Sequence, residues 1–391
     1  MTEHSLLGAS SASRWLNCPG SFKLSQTAPH RPSSIYAATG TLAHEYIQGA
    51  VLGGETQVDL PKGPVIFARE GHSIEVDQDF IDGVNVMLEY LKHQAAGHDW
   101  FKVEFRVDLD SYFTSPPVVP VFGTVDAGIL QLWNNELEVI DYKNGSGIAV
   151  SPIENAQLLF YAAGVLAQIQ PDWRRRVRKI KLTIVQPNAG GAPIRSWEID
   201  VLDLLLWVDG VLVPGVGACA QDNAPLNPGP WCRFCPVSHA CPRLMQDAVA
   251  MAKHEFNDDP PQETDELGKA LDAAERAELW IERIREFAVN QLEHQVRIPG
   301  WGLVPTRPTR KWTLPDDDIA NELCTTLDGG DVFETRLRSP AQMEKRLTRT
   351  SVGRKVWDQV VAPLVEARSS GVKLGRDHHT TAAEEAWDET T

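Results

Sequence analysis

The alternation of hydrophobic and polar positions predicts helices that precede and flank a group of strands. Apolar residues recur every three or four positions in the helical stretches, and the strand stretches are apolar runs between turn residues. Asn134 and Asn135 are typical of a hairpin turn between the second and third strands. The predicted helices cover part of residues 5–24 and residues 36–52, 77–94, 153–169, 200–220 and 262–296, and the predicted strands begin near residues 101, 121, 136, 179 and 193.

This order of elements is typical of an α/β sandwich and not of a repeating βαβ barrel. Asp258-Asp259-Pro260-Pro261 is predicted to be a linker, because two prolines follow two acidic residues there. We therefore expect one domain over residues 1–257, a mainly helical region over 262–369, and an acidic, disordered tail over 370–391.

Length and composition indicate a soluble globular protein. Of 391 residues, 42% are hydrophobic and 23% charged. The pattern shows no apolar run near the ~20 residues that a membrane span requires. Residues 1–15 lack a basic region followed by an apolar core, so we predict no signal peptide and a cytoplasmic location, within a bacterial host cell if a phage encodes the chain. Thiols stay reduced there, and clustered cysteines then more often bind metal than form disulfides.

The net charge of −16 argues against nucleic acid as a partner, because binding to phosphates needs local positive charge. Two basic runs weaken that objection, one over residues 174–181 and one containing Arg307, Arg310 and Lys311. With Trp312, the second run predicts a segment that grips a DNA backbone and stacks a base, or else a solvated loop with a packed tryptophan. The composition permits a DNA enzyme without pointing to one.

Two neighbouring strands carry the chemistry-bearing residues. Asp126 ends the sequence Gly-Thr-Val-Asp on one strand, and Asp141 and Lys143 flank Tyr142 at the end of the next. A two-residue turn at Asn134–Asn135 would pair Asp126 with a position near 143, and residues 141 and 143 share one face. Two carboxylates and an ammonium group there suit Mg²⁺ or Mn²⁺ chemistry, with the lysine orienting or deprotonating water. The alternative is a solvated hairpin end with an ordinary ion pair.

Other polar residues are spaced so that they can join this group. Gly40 and His44 share one face of a predicted helix, and so do Gln157 and Tyr161 on a later one. An imidazole can complete a metal site, although it favours softer ions than magnesium. Glu104, on the preceding strand, is a further candidate carboxylate, but an exposed strand glutamate is the favoured interpretation.

Taken in order, Gly-x-x-x-His over 40–44, Gly-x-x-Asp over 123–126, Asp-Tyr-Lys over 141–143 and Gln-x-x-x-Tyr over 157–161 resemble the RecB-like branch of the PD-(D/E)XK nucleases. The resemblance implies a restriction-endonuclease-like core, with a central mixed sheet flanked by helices. It also implies a role for each matching residue. The metal ligands would be His44, Asp126, Asp141 and the main-chain carbonyl of Tyr142; Lys143 would be catalytic; and Gln157 and Tyr161 would position DNA or the lysine.

The cysteines form a second motif. Cys232-x-x-Cys235-x5-Cys241 follows the nuclease motifs, and Cys18 precedes them. This arrangement is similar to that of iron–sulfur nucleases of the AddB and CRISPR-adaptation types, which implies a structural 4Fe–4S cluster that staples the two ends of the nuclease domain. A zinc site with four thiolate ligands and a chance group of free thiols are the alternatives. Two further cysteines, Cys219 and Cys324, are predicted to be buried thiols.

The chain also resembles a family of uncharacterised phage and prophage proteins, notably over Ser-Ala-Ser-Arg-Trp-Leu-Asn-Cys-Pro at 11–19 and near residues 300–312 and 339–344. We therefore expect a DNA exonuclease of phage recombination or processing, with a single-strand annealing protein as its partner. An endonuclease, an inactive nuclease-fold accessory protein and a cluster-dependent redox protein are the alternatives. The pattern predicts neither the polarity of digestion nor the oligomeric state.

Overall fold

The computed structural model describes residues 5–28, 34–62, 65–69, 71–117, 119–145, 147–254, 264–303, 344, 346–347 and 351–364. The chain divides into two compact units, Met1–Arg336 and Leu337–Thr391. The first unit is a mixed α/β structure with a five-stranded central sheet flanked by helices. Its helices are α1 (Ala12–Asn17), α2 (Gly20–Ser25), α3 (Ile35–Leu52), α4 (Gln78–Gln94), α5 (Ala156–Gln168), α6 (Pro171–Arg174), α7 (Val201–Trp207), α8 (Val213–Ala220), α9 (Pro242–His254) and α10 (Thr264–Glu293).

The central sheet has the order β3-β4-β5-β6-β7, in which only β5 and β6 are parallel. The central mixed sheet flanked by helices, which the resemblance implied, is therefore confirmed. A separate two-stranded hairpin precedes α4, and the pattern did not predict it because each strand has only four residues. The strands are β1 (Ile66–Arg69), β2 (His72–Glu75), β3 (Trp100–Asp108), β4 (Phe122–Gln131), β5 (Glu136–Tyr142), β6 (Lys179–Val185) and β7 (Ile194–Asp200).

Side chains of β5 alternate between two hydrophobic clusters, one on each face of the sheet. Leu137 and Val139 pack in the cluster that contains α5, whereas Ile140 and Tyr142 pack with α3 and α4. Because both faces are covered, β5 is buried along nearly its whole length. The end of β5 therefore holds its side chains between a helix on either side.

Capping side chains fix where the helices that flank the sheet begin. The hydroxyl of Ser34 accepts a hydrogen bond from the Ala37 amide at the start of α3, and Asp77 accepts one from Phe80 at the start of α4. Asn155 accepts from two amides of α5, so this helix begins at residue 156 and not near 153. Each cap satisfies amide groups that have no partner within the helix.

The turn between β4 and β5 differs from the prediction. It has four residues, 132–135, because Gln131 pairs with Glu136, and Asn135 has a left-handed φ of 58°. Continuing this register places Asp126 opposite Asp141 and not opposite a position near 143. The prediction was wrong by two residues, because the sequence does not fix the length of the turn. A shift of two keeps every side chain on its predicted face.

One helical stretch among the described residues, Val201–Ala220, is long and apolar enough to cross a membrane by length and composition. The expectation that no such run exists is thus corrected. The stretch comprises α7, a π-helical turn over Val208–Leu212, and α8. Leu204, Val208 and Leu212 are fully buried in the core with α5, whereas Leu202, Leu206 and Val211 of the same stretch are exposed.

The described part of the second unit is helical. It consists of α11 (Ser351–Val356), a π-helical turn over Trp357–Val361 with Trp357 buried, and a 3₁₀ turn over Ala362–Leu364. Several predictions fall outside the described residues: the linker at 258–261, the tail over 370–391, Cys324, and the DNA-binding segment with Arg307, Arg310, Lys311 and Trp312.

Candidate functional site

Three carboxylates lie in a row across three adjacent strands. On β3, Glu104 stands between Val103 and Phe105, whose partners on β4 are Ala127 and Val125, so Glu104 lies opposite Asp126. The register of β4 with β5 places Asp141 next in the row. Asp126 and Asp141 are buried, at 8% and 1% exposure. Buried carboxylates placed side by side repel one another unless cations or hydrogen bonds offset their charge.

Helix α3 brings an imidazole to this row. His44 Nδ1 lies 2.8 Å from Glu104 Oε1 and 3.7 Å from Asp126 Oδ1. The Tyr142 ring contacts the imidazole edge-on, with 5.7 Å between the ring centroids. His44, Glu104 and Asp126 each offer a ligand atom within 4.8 Å of the other two, an arrangement that could hold a metal ion.

A backbone amide orients the central carboxylate. The amide of Tyr142 donates to Asp126 Oδ2 over 2.6 Å, which leaves Oδ1 directed towards His44. The structure therefore gives the main chain of Tyr142 a role in holding Asp126. That the Tyr142 carbonyl ligates a metal stays a prediction.

Asp141 and Lys143 form a network with α5. Lys143 Nζ donates to Asp141 Oδ1 over 3.1 Å and to Gln157 Oε1 over 3.0 Å. Gln157 Nε2 in turn donates to Asp141 Oδ1 over 2.9 Å and to the Tyr161 hydroxyl over 3.2 Å. Asn155, which caps α5, accepts a hydrogen bond from the backbone amide of Gln157. This bond fixes the backbone from which the Gln157 side chain extends. All four members of this network are residues that the sequence motifs predict.

Burial and neighbouring charges shift the pKa values of the ionisable groups in the site. Burial alone would lower the pKa of His44, but Asp126 and Glu104 raise it to about 9. Burial raises the pKa of Asp126 to about 7, against the opposing effect of the His44 cation. Burial disfavours the charged form of Lys143, yet Asp141 and Asp126 hold its pKa above the ordinary value. At neutral pH the lysine is therefore a cation that donates hydrogen bonds, and not a free base.

The donor set fits a divalent cation. Carboxylate oxygens and one imidazole are ligands that Mn²⁺ accepts readily and Mg²⁺ less so. Asp141 Oδ2 is buried and accepts no hydrogen bond, although it lies 2.9 Å from Lys143 Nζ as an ion pair with unfavourable hydrogen-bond geometry. A buried anionic oxygen without a hydrogen-bond donor is a position that a cation would stabilise.

The four cysteines of the second motif line one cavity. Cys18 comes from the turn between α1 and α2, and Cys232, Cys235 and Cys241 come from two 3₁₀ turns before α9. All four are buried and free. Amide groups donate to their sulfur atoms, from Asn227 to Cys18 over 3.3 Å and from Gly229 to Cys232 over 3.4 Å.

The neighbours of these thiols affect their ionisation. Burial, with a further contribution from the other three cysteines of the cavity, raises the pKa of Cys232 to about 11. Burial also raises the pKa of Cys235. Thiols that oppose each other's ionisation in this way need a cation before they can become thiolates together. Cys219 is buried in α8, as predicted, and does not line the cavity.

One prediction about a polar residue needs correction. Glu104 is not an exposed strand glutamate, since its side chain is only 17% exposed and contacts His44. Its φ of 46°, unusual for a strand residue, turns it towards the helix, and no sequence signal predicts such a backbone conformation. The arginines of the basic run over 174–181 are exposed and form a solvated helix end, where Arg174, Arg176 and Arg178 also donate to backbone carbonyls.

Comparison with known proteins gives a family match and a likeness to a solved structure. The sequence model of a family described as "Protein of unknown function (DUF2800)" matches residues 4–376. The crystal structure of SSO0001 is similar at 17% sequence identity, covering 62% of this chain and 88% of that chain, with a TM-score of 0.28. A likeness at that TM-score bears on neither the fold nor the function.

Proposed function

This chain belongs to the DUF2800 family of proteins of unknown function, and we propose that it is a metal-dependent deoxyribonuclease. The observation that carries the proposal is the convergence of His44, Glu104 and Asp126 beside an Asp141–Lys143 pair, across three adjacent strands and α3. The order of motifs along the chain supports the narrower assignment to a RecB-like nuclease with a PD-(D/E)XK core. Exonuclease is favoured over endonuclease, because RecB-like relatives mostly degrade ends.

In this proposal the site hydrolyses a phosphodiester bond with an in-line water. A divalent cation bound by His44, Asp126 and Asp141, with Glu104 as a further ligand, would supply neutralisation of the phosphate charge and activation of the water. Lys143 is held as a cation and orients the attacking water or stabilises charge on the phosphate. Gln157 fixes the positions of Lys143 and Asp141, and Tyr161 fixes the Gln157 amide.

The proposed substrate is DNA, in phage recombination or processing, and a single-strand annealing protein is the proposed partner. The second candidate, a DNA-binding accessory protein without activity, predicts binding without cleavage. The complete set of His44, Asp126, Asp141 and Lys143 favours the enzyme, because a protein that only binds DNA does not need a lysine held against a buried carboxylate and an amide.

The test is degradation of end-labelled linear DNA with Mn²⁺, with Mg²⁺ and with EDTA. We expect cleavage with either metal, none with EDTA, and at least a hundredfold loss in Asp126→Asn and Lys143→Ala. Glu198→Gln is the matched control, because Glu198 is a carboxylate on the edge strand β7, half exposed and outside the site. Covalently closed circles distinguish the two modes, since an exonuclease spares them and an endonuclease cuts them. Full activity in a folded Asp126→Asn protein would remove the enzyme proposal.

We further propose that Cys18, Cys232, Cys235 and Cys241 hold a 4Fe–4S cluster. Among the described residues, His44, Glu104 and Asp126 bring three ligand atoms within 4.8 Å of one another. No three of the four cysteine sulfurs are as close to one another. Tetrahedral zinc with Zn–S bonds of 2.3 Å would bring the sulfurs to about 3.8 Å. The wider spacing and the amide donors to sulfur favour a larger group over a single zinc ion.

Metal and sulfide analysis of protein purified without oxygen tests this assignment. We expect about four iron and four sulfide per chain, a brown colour, and loss of both in Cys235→Ser. Cys219→Ser is the matched control, because Cys219 is equally buried and lies outside the cavity. One zinc per chain and no iron, in protein expressed with both metals supplied, would replace the cluster with a zinc site.

A further inference from the structure

The first two turns of α3 carry an exposed aromatic residue next to the proposed active site. Tyr36 is 80% exposed, and Gly40 and His44 follow it at successive intervals of four. Residues four apart lie on nearly the same face of a helix, so Tyr36, Gly40 and His44 form one stripe along α3. The stripe ends at the imidazole that contacts Glu104. Eight residues of helix correspond to about 12 Å along its axis.

The side of α3 that carries Tyr36 is the side that faces the protein. Residues seven and eleven positions further along a helix share its face, and these are Ala43 and Ile47. Both are buried, at 0% and 2% exposure. Ala38, in the same turn as Tyr36, is also fully buried, so this turn packs on the core while the Tyr36 ring stays exposed.

Gly40 leaves the stripe without a side chain between Tyr36 and His44. A Cβ atom added to Gly40 would have no neighbour within 4 Å, so no packing contact requires glycine there. Glycine inside a helix is unfavourable, and one common reason for it is the close approach of a ligand. A side chain at this position would project between Tyr36 and His44.

We propose that this stripe binds a single strand of nucleic acid, with a base stacked on Tyr36 and the backbone passing over Gly40 to the site at His44. The proposal rests on the proposed function, since His44 marks where the scissile phosphate would lie. An exposed aromatic ring stacks on any base, so this contact would be independent of sequence. A single strand can extend further per nucleotide than the ~3.4 Å rise of a duplex, so the helix length places the stacked base within about four nucleotides of the cleaved bond.

Binding is measured with the full chain in Ca²⁺ or EDTA, so that it does not depend on cleavage. The probe is a fluorescein-labelled oligothymidylate, followed by anisotropy. We expect Tyr36→Ala to weaken binding about tenfold and Tyr36→Phe to retain it, because phenylalanine keeps the stacking face. Trp133→Ala is the matched control: Trp133 is 73% exposed and lies in the β4–β5 turn, at the opposite end of these strands from Asp126 and Asp141.

A second pair of variants tests the path over the helix. Gly40→Leu should weaken binding about as much as Tyr36→Ala, because its side chain occupies the path. Gly49→Leu, on the opposite face of the same helix and equally free of neighbours, should not. Both variants should melt no lower than the wild type, since leucine is a better helix former than glycine.

A base analogue locates the contact. We expect 2-aminopurine fluorescence to be quenched at one position within about four nucleotides of the cleaved bond, and this quenching to disappear in Tyr36→Ala. Binding that is equal in wild type, Tyr36→Ala and Gly40→Leu would overturn the proposal even if the protein cleaves DNA. Tyr36-dependent binding by a protein that cleaves nothing would keep this inference and remove the nuclease.

Discussion

The side-chain amide of Gln157 is joined to Asp141 by a hydrogen bond of 2.9 Å that links α5 to the end of β5. The same amide accepts from Lys143 over 3.0 Å, so it holds an anion and a cation in one fixed arrangement. An amide is suited to this because it donates and accepts at once. The positions of Asp141 and Lys143 therefore depend on α5 as well as on the sheet.

We predict that Gln157→Ala lowers kcat about ten- to a hundredfold, because catalytic groups lose their orientation without losing their chemistry. The melting temperature should fall by a few degrees at most, and KM should change less than kcat. Gln170→Ala is the control, since Gln170 is exposed just beyond α5. An unchanged kcat in Gln157→Ala would show that Asp141 and Lys143 are oriented by other contacts.

Glu104 adopts a left-handed backbone conformation that L-residues other than glycine rarely take. We predict that Glu104→Gly is more stable than Glu104→Ala by about 1 kcal/mol, because glycine adopts this conformation without steric conflict. Both variants should bind Mn²⁺ about tenfold or more weakly than the wild type, since both remove a ligand. Chemical denaturation measures the first effect and calorimetric titration the second. Equal metal affinity in all three proteins would exclude Glu104 as a ligand.

The sequence predicted the elements and most of the site, for separate physical reasons. Periodicity locates α3, α4 and β3 to within a few residues, because burial of one face requires it. The order of the motifs then predicts that residues as distant in sequence as His44 and Gln157 belong to one site. Two features of the backbone could not be predicted: the length of the turn before β5, and the conformation that turns Glu104 towards His44. Both arise from packing between strands, which no local pattern records.

Metal affinity should rise with pH across the neutral range. In the metal-free protein the pKa of His44 is about 9 and that of Asp126 about 7, both above their ordinary values. Protons therefore compete with the metal, and the ligands must lose them on binding. We predict that Mn²⁺ affinity increases up to about tenfold per pH unit between these values for each proton released. Titration calorimetry in two buffers with different ionisation enthalpies counts the protons, and a count of zero would contradict the prediction.

The same shifts determine how stability depends on pH. A group whose pKa is raised on folding stabilises the protein below its unfolded pKa, and this contribution is lost as pH rises through the folded value. His44 and Asp126 both act in this direction. The metal-free protein should thus lose stability as pH rises through about 7 and about 9, and added Mn²⁺ should raise the melting temperature more at alkaline pH than at acidic pH. A metal-induced shift that is larger at acidic pH would contradict this.

Removal of the proposed cluster should loosen the two segments of the first unit that carry the cysteines. Cys18 precedes α2 and the other three proposed ligands follow α8, so the cluster would close a loop of more than two hundred residues. We predict that the protein treated with chelator and oxidant is cut by protease both before α3 and between α8 and α10. Cys235→Ser should show the same pattern, and Cys219→Ser should resist. Mass spectrometry of the fragments locates the cuts, and cuts elsewhere would argue against a staple.

Glu138 on β5 is a buried carboxylate, 3% exposed, that has no part in the proposed chemistry. It accepts from Tyr90 and from Thr183, each over 2.6 Å, and pairs with Lys181 over 3.2 Å. Removal of one partner from such a group leaves the others buried without compensation, so we predict that Glu138→Ala destabilises the fold by about 3 kcal/mol. Lys181 retains some access to water, which keeps the loss at the lower end of the usual range.

This residue also separates stability from chemistry. Because Glu138 points to the α4 side of β5, whereas Asp141 contacts α5 on the other side, Glu138→Ala should keep the kcat of the wild type below its melting temperature. Tyr90→Phe should show the same behaviour with a smaller loss, about 1 kcal/mol for one hydrogen bond. Denaturation curves measure the first effect, and activity per folded molecule measures the second. A large fall in kcat at full folding would mean that strain at Glu138 reaches the catalytic end of β5, and the two faces of the strand could then not be treated as independent.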